Sequence, residues 1–239
     1  MKQFFGIFLL AALFTACGAP PSTLANASDT STASRPNPLA GADREVPLLA
    51  NLPFDQNREG LEKAYFASGC FWCTEAIFER VRGVEVVMSG YTGGPEAFPT
   101  YQQVAGGQTG HAEAVVVYYD PEIVSYAQLV TFFFASHDPT QVDRQGPDVG
   151  PQYRSGIFYL DEAQRETAAE AKAQLDASGT YERPIATEIT AAGPFYVAEP
   201  YHQDYYEQHP YNPYIIRVSR PKVEKFEREY AAFLKPEYR

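Results

Sequence analysis

The chain has 239 residues, 45% of them hydrophobic, and sets 30 acidic against 19 basic residues for a formal net charge of −11. That is apolar material for one globular core, and the acidic balance argues against a nucleic-acid partner, whose phosphates call for Lys and Arg.

Residues 1–17 read as an export signal. Lys2 precedes an apolar run from Phe4 to Phe14 that is too short to span a bilayer, and Thr15-Ala16-Cys17-Gly18 places small residues before a cysteine. The pattern resembles a bacterial lipoprotein signal with Cys17 as the lipidated first residue of the mature chain. An ordinary signal cut nearby is the alternative, because Phe14 stands where Leu is usual. Either reading exports the protein to the cell envelope, and the first anchors it to a membrane by lipid. Residues 18–60 are rich in Ser, Thr, Asn, Ala and Pro with little apolar periodicity, and read as a flexible tether. The folded domain is expected over 61–239. With Cys17 spent on export or lipidation, Cys70 and Cys73 are left to each other in an oxidising compartment.

From Leu61 the signals alternate. They predict strand 64–68, helix 71–82, strand 84–89, strand 112–119, helix 125–136, strand 155–160 and helix 161–178, with Ser125 capping one helix and Ser178-Gly179 ending another. The order β-α-β-β-α-β is that of a ferredoxin-like unit, so the fold class is α+β, a two-layer α/β sandwich. Strand 185–190, a short helix at 199–208 and an amphipathic helix at 221–234 make an irregular C-terminal extension. Two connections, about twenty residues from Gly90 to Gly110 and about seventeen from His137 to Arg154, are too long for idle loops. They are expected to meet over the sheet near Cys70.

The stretch Gly69-Cys70-Phe71-Trp72-Cys73-Thr74-Glu75 sits at the turn between the first strand and the first helix. Free N–H groups at a helix start favour a thiolate, which predicts a depressed pKa for Cys70. Cys73 lies one turn along the same face, within reach of Cys70. Two inert buried cysteines would not explain Phe and Trp spent at a helix start. A zinc site would need further ligands, and His111, His137, His202 and His209 lack paired spacing. The serious rival is a general dithiol–disulfide oxidoreductase, whose signature is C-x-x-C at a helix start. Glu113, near the start of an otherwise apolar strand, is either an exposed edge residue, the commoner case, or a buried acid with a raised pKa.

Seven motifs in one order carry a resemblance over Leu61 to Lys235: Gly69-Cys70-Phe71-Trp72, Gly90-Tyr91-Thr92-Gly93-Gly94, Pro99-Thr100-Tyr101, Gly110-His111-Ala112-Glu113-Ala114, His137-Asp138-Pro139, Gln152-Tyr153-Arg154-Ser155 and Tyr201-His202-Gln203. The chain resembles the A-type peptide methionine sulfoxide reductases, which reduce the S-epimer of methionine sulfoxide in proteins and free. The resemblance implies that Cys70 is the nucleophile, Phe71 and Trp72 the methyl pocket, Glu113 the acid, Tyr101 and Tyr153 the sulfoxide-oxygen donors and Asp148 a polar site residue. It implies no metal and no organic cofactor. Many members have Gly where Cys73 stands and keep resolving cysteines in a C-terminal tail; Lys222 to Arg239 has none. The resolving role therefore falls to Cys73 through a Cys70–Cys73 disulfide. Its reductant is expected to be a thioredoxin-like protein or, outside the membrane, a membrane protein relaying thiol electrons. The enzyme is expected to act as a monomer.

Overall fold

The computed structural model describes residues 46–56 and 58–239. The expected signal, Cys17 and the tether up to residue 45 lie outside the described residues. In chain order the elements are α1 (Pro53–Gln56), β1 (Glu62–Ser68), α2 (Phe71–Glu79), β2 (Val84–Thr92), α3 (Tyr101–Ala105), β3 (Ala112–Tyr119) and α4 (Tyr126–Ala135). There follow β4 (Arg144–Gln145), β5 (Asp148–Val149), β6 (Ser155–Tyr159), α5 (Glu162–Ala177), β7 (Glu188–Ala191), β8 (Tyr196–Val197), α6 (Tyr205–Gln208) and α7 (Arg220–Glu229).

Six strands form one mixed sheet in the order β7-β6-β1-β3-β2-β8, antiparallel except for the β6–β7 pair. Its inner four, β6-β1-β3-β2, are the fourth, first, third and second strands of the expected β-α-β-β-α-β unit, which is the ferredoxin-like arrangement. β3 lies at the centre, and all eight of its residues are buried, which explains a run without polar alternation. Helices α2 and α4 cover one face. There Phe66 of β1 stacks on Phe78 of α2 and Phe133 of α4 with ring centres 5.0 and 5.2 Å away. Ser125 begins α4 with a reciprocal capping box to Gln128, and Asp161 accepts from the Gln164 N–H at the start of α5.

The opposite face carries Met88, Val116, Tyr118 and Phe158, closed over by Leu49, Phe195 and Val197. This corrects the expected tether: Val46 and Leu49 are buried, the Leu49 N–H donates to the Phe195 carbonyl at 2.9 Å, and the Val197 N–H donates to that of Pro47 at 2.9 Å. The fold thus begins by Val46: Leu49 helps cover the sheet face the helices leave open, and Val46 joins the core cluster on the helix side. β2 runs three residues further than expected and α2 stops three short, where Arg80 leaves the helix to pair with Glu207 and Glu227. The predicted strand at 185–190 is Glu188–Ala191. The predicted helix at 199–208 is a 3-10 turn, Pro200–His202, followed by α6. The last helix is α7, entered through a π-helical turn at Ile215–Ser219. Among the described residues no helix is long and apolar enough to cross a membrane.

Candidate active site

The site is built on the turn from β1 into α2. Gly69 holds φ at 91°, and a Cβ there would come within 2.6 Å of the Gln145 side chain, so only glycine lets the second long connection close over the turn. Cys70 is the N-cap residue of α2. The next N–H, that of Phe71, is one of the helix's unshared donors, and it donates to Glu113 Oε2 at 3.1 Å. Glu113 therefore stands beneath the helix start from the middle of the sheet and is 2% exposed. It is a buried acid, not an edge residue. Burial, with lesser pressure from Asp148 and Cys73, outweighs the Phe71 hydrogen bond and pushes its carboxyl up to about 8.

Cys70, Phe71, Trp72, Tyr101, Glu113, Asp148, Tyr153, Asn212 and Tyr214 line one cavity of about 340 Å³. The two long connections meet here as expected, the Gln152 amide donating to the Ala105 carbonyl at 2.9 Å and Arg154 to that of Gly110 at 3.1 Å. Tyr101 opens α3 behind the Thr100–Gln103 capping box, and its N–H donates to Glu199, which also accepts from the Tyr91 hydroxyl. Tyr153 closes the 3-10 turn Pro151–Tyr153. Burial raises both phenols, with Glu113 adding to the effect, so each remains a neutral O–H donor. Phe71 is buried, and Trp72 is half-buried, stacked on Tyr205 with ring centres 3.9 Å apart and donating from Nε1 to His202 Nδ1 at 3.2 Å. His111 ties the first long connection together: Nδ1 accepts from the Gly94 N–H and Nε2 lies 2.8 Å from the Glu96 carbonyl.

Cys73 is the predicted site residue outside the cavity wall. It lies behind Cys70 and donates to Ser219 Oγ at 3.0 Å. The Cys70 pKa moves opposite to the expected depression. Burial pushes the Cys70 thiol well up, with Cys73 and then Glu113 adding to the effect. The Phe71 N–H, the donor nearest a Cys70 thiolate along the helix start, is engaged by Glu113. Cys73 moves the other way, to about 7, chiefly because Cys70 donates to its sulfur, with Lys222 and Ser219 assisting against burial.

Tyr214 was not found by sequence reasoning. Its hydroxyl donates to Asp148 Oδ2 at 2.5 Å and also reaches the Cys70 sulfur, where turning its one proton from the carboxylate to the sulfur would favour the thiolate. Among seventeen tyrosines the only signal was its place in Asn212-Pro213-Tyr214, at the start of the last helical stretch. Among the described residues no group of three or more His, Cys, Asp or Glu side chains is placed to hold a metal ion.

Residues 62–234 match the family model for peptide methionine sulfoxide reductase. The chain belongs to this family. Among similar reductases, the peptide methionine sulfoxide reductase MsrA of Deinococcus radiodurans is 53% identical over 169 residues, 71% of this chain and 82% of that protein. The enzyme of the same name from Chromobacterium violaceum is 49% identical over 174 residues, 73% of this chain and 99% of its own. The structure of methionine sulfoxide reductase A of Corynebacterium diphtheriae superposes with a TM-score of 0.59 at 37% identity, covering 66% of this chain and 80% of that one. Reduced Mxr1 of Saccharomyces cerevisiae gives 0.58 at 34%, covering 64% and 88%. This reductase is thus an oxidoreductase with the family's mixed α/β fold.

Proposed function

We propose that the enzyme reduces methionine S-sulfoxide, in proteins and free, through a Cys70 sulfenic acid and a Cys70–Cys73 disulfide, and so repairs oxidised proteins. The observation that carries this reading is the convergence of a thiol, a neutral buried acid, neutral phenols and an aromatic wall on one cavity. The sulfoxide oxygen lies toward Glu113, Tyr101 and Tyr153, which donate to it and draw electron density from sulfur. The S-methyl group sits against Phe71 and Trp72, where sulfur and methyl contact aromatic faces. The Cys70 sulfur attacks the sulfoxide sulfur, its thiol proton passing to Glu113 as Glu113 gives its own proton to the sulfoxide oxygen. The protonated oxygen then passes to the Cys70 sulfur: the substrate sulfur–oxygen bond and the transient Cys70–substrate sulfur bond break as a Cys70 sulfur–oxygen bond forms, leaving methionine, reduced by two electrons, and Cys70 as the sulfenic acid.

Cys73 sulfur then attacks Cys70 sulfur. The sulfur–sulfur bond forms as the Cys70 sulfur–oxygen bond breaks, and the leaving hydroxide departs as water with the proton from Cys73. A dithiol protein, thioredoxin-like or a membrane thiol relay, restores both thiols by exchange, taking the disulfide onto itself. A general dithiol–disulfide oxidoreductase is the poorer reading, since the cavity at Cys70 also gathers Glu113, Tyr101 and Tyr153, an acid and two phenols that thiol exchange does not call for.

The enzyme acts as a monomer. It works outside the cytoplasmic membrane on a lipid at Cys17. Fractionation of cells making wild-type and Cys17→Ala protein tests the location, and soluble, unacylated wild-type protein would contradict it. The activity is tested by dithiothreitol-dependent reduction of a methionine-S-sulfoxide peptide beside insulin reduction: turnover of the sulfoxide with none of insulin is expected, and the reverse would favour the rival.

A further inference from the structure

Tyr214 and Ser219 are five positions apart, and in a regular α-helix they would point about 140° apart. Here Ile215–Ser219 is a π-helical turn, with the Arg220 N–H donating five residues back to the Ile215 carbonyl. In a π turn residues five apart stack on one face, and such turns recur at functional sites. Tyr214 and Ser219 accordingly both face the thiols: the phenol reaches Cys70 and the serine hydroxyl lies 3.0 Å from Cys73. Ser219 is fully buried on a helix face that packs on α2, where an apolar residue would be the ordinary choice. Its hydroxyl can accept from a thiol and donate to a thiolate by rotating its proton.

We propose that Ser219 is a positioning residue for the recycling half of the reaction: delivered by the π turn, its hydroxyl holds the Cys73 sulfur against Cys70 and stabilises it as it attacks the sulfenic acid. This rests on the disulfide reading above. In the step, Cys73 loses its proton to the departing hydroxide, the sulfur–sulfur bond replaces the sulfur–oxygen bond, and the Ser219 hydroxyl changes from acceptor to donor without being consumed. The other charged or titratable groups acting on Cys73 are Cys70 from its own helix start, Lys222 from α7, Asp148 from the second long connection, Glu113 from β3 and Tyr214 before the π turn. Lys222 alone among them brings a fixed positive charge, and the serine hydroxyl, 3.0 Å from the Cys73 sulfur, is a neutral group that can turn from acceptor to donor as that sulfur changes charge.

The test is a single turnover of a methionine-S-sulfoxide peptide without reductant, in wild-type, Ser219→Ala and Ser219→Thr protein, across pH. Methionine release, remaining thiols and dimedone-trapped sulfenic acid are read together. Loss of a hydrogen bond to a charged group predicts disulfide formation about ten- to a hundredfold slower in Ser219→Ala, its pH midpoint raised by about one to two units, and accumulated sulfenic acid. The loss in this step is expected to exceed any loss in methionine release at least about tenfold. Ser219→Thr, which returns the hydroxyl, is expected to recover the wild-type midpoint. A Ser219→Ala protein with the wild-type rate and midpoint overturns the proposal, as does a Thr variant as slow as the Ala variant. Wild-type protein that releases methionine but forms no Cys70–Cys73 disulfide instead overturns the reading beneath it, and is seen before any variant is compared.

Discussion

Replacing Glu113 with Gln removes the acidic proton from the cavity while leaving an oxygen to accept from the Phe71 N–H. The carboxyl is held at about 8 by burial, so at pH 7 most of the enzyme carries the proton the sulfoxide oxygen needs. A positioned general acid contributes about 10²–10⁴-fold, and Glu113→Gln should slow methionine release by that factor. The pH profile adds a second reading. Wild-type methionine release should fall as pH rises through about 8, and the Gln variant should lack that limb. Stability changes in the same window with a definite sign. An acid whose folded pKa is raised stabilises the fold fully below its unfolded value, and that contribution is lost as pH rises through about 8. The distance from 4.5 to about 8, at about 1.36 kcal/mol per pH unit, is of the order of 5 kcal/mol, and the Gln variant should gain on wild type by a large part of it between pH 5 and 9. Stopped-flow single turnovers and urea denaturation at several pH values measure both. A variant within a few-fold of wild type in rate, with a parallel stability profile, would refute the assignment of Glu113 as a buried acid.

Cys70→Ser should abolish turnover, because a neutral hydroxyl without a dedicated base is a poor nucleophile; methionine release above the uncatalysed rate would remove Cys70 from the role. Cys73→Ser should release one methionine per enzyme and leave a sulfenic acid trappable by dimedone, and unchanged multiple turnover with a thioredoxin would contradict the resolving role. Tyr214→Phe takes the donor from Asp148 and the phenol from Cys70, and should cost about tenfold or more in kcat/KM, whereas an unchanged value would make the tyrosine a packing residue. His137 is buried and lowered to about 4, so it favours the fold above about 6.5 and that contribution is lost as pH falls from there through about 4. An NMR titration of its ring should show the low midpoint, and a midpoint near 6.5 would refute the desolvation argument.

The β-α-β-β-α-β unit was legible because its strands and helices each carry a strong local period, with Ser125 capping one helix and Ser178-Gly179 ending another as their residue types demand. Local pattern says nothing of a two-residue strand such as Tyr196–Val197, which exists only because β2 offers it an edge. It also misses Val46 and Leu49, apolar residues in a Pro-rich stretch that looks like a linker until Val46 is seen in the helix-side core and Leu49 on the opposite sheet face. Glu113 shows a related limit: alternation cannot distinguish an edge strand from a central one buried on both sides. The pKa expectation for Cys70 weighed a helix end against water, whereas in the fold burial and Cys73 outweigh the helix end. The π turn, and with it the placement of Tyr214 and Ser219, arises from an i+5 hydrogen-bond register that no apolar repeat announces.

The central claim, that one cavity joins Cys70 to a neutral Glu113 and an aromatic methyl pocket for sulfoxide reduction, is tested most directly with epimerically pure substrates. Single turnovers of the dithiol enzyme are run with methionine-S-sulfoxide and methionine-R-sulfoxide peptides, each product counted per enzyme and Cys70 analysed by mass. The account predicts one methionine per enzyme from the S-epimer, none from the R-epimer, and loss of two hydrogens from the Cys70–Cys73 pair. Equal reduction of both epimers, or methionine release with both thiols unchanged, would contradict it.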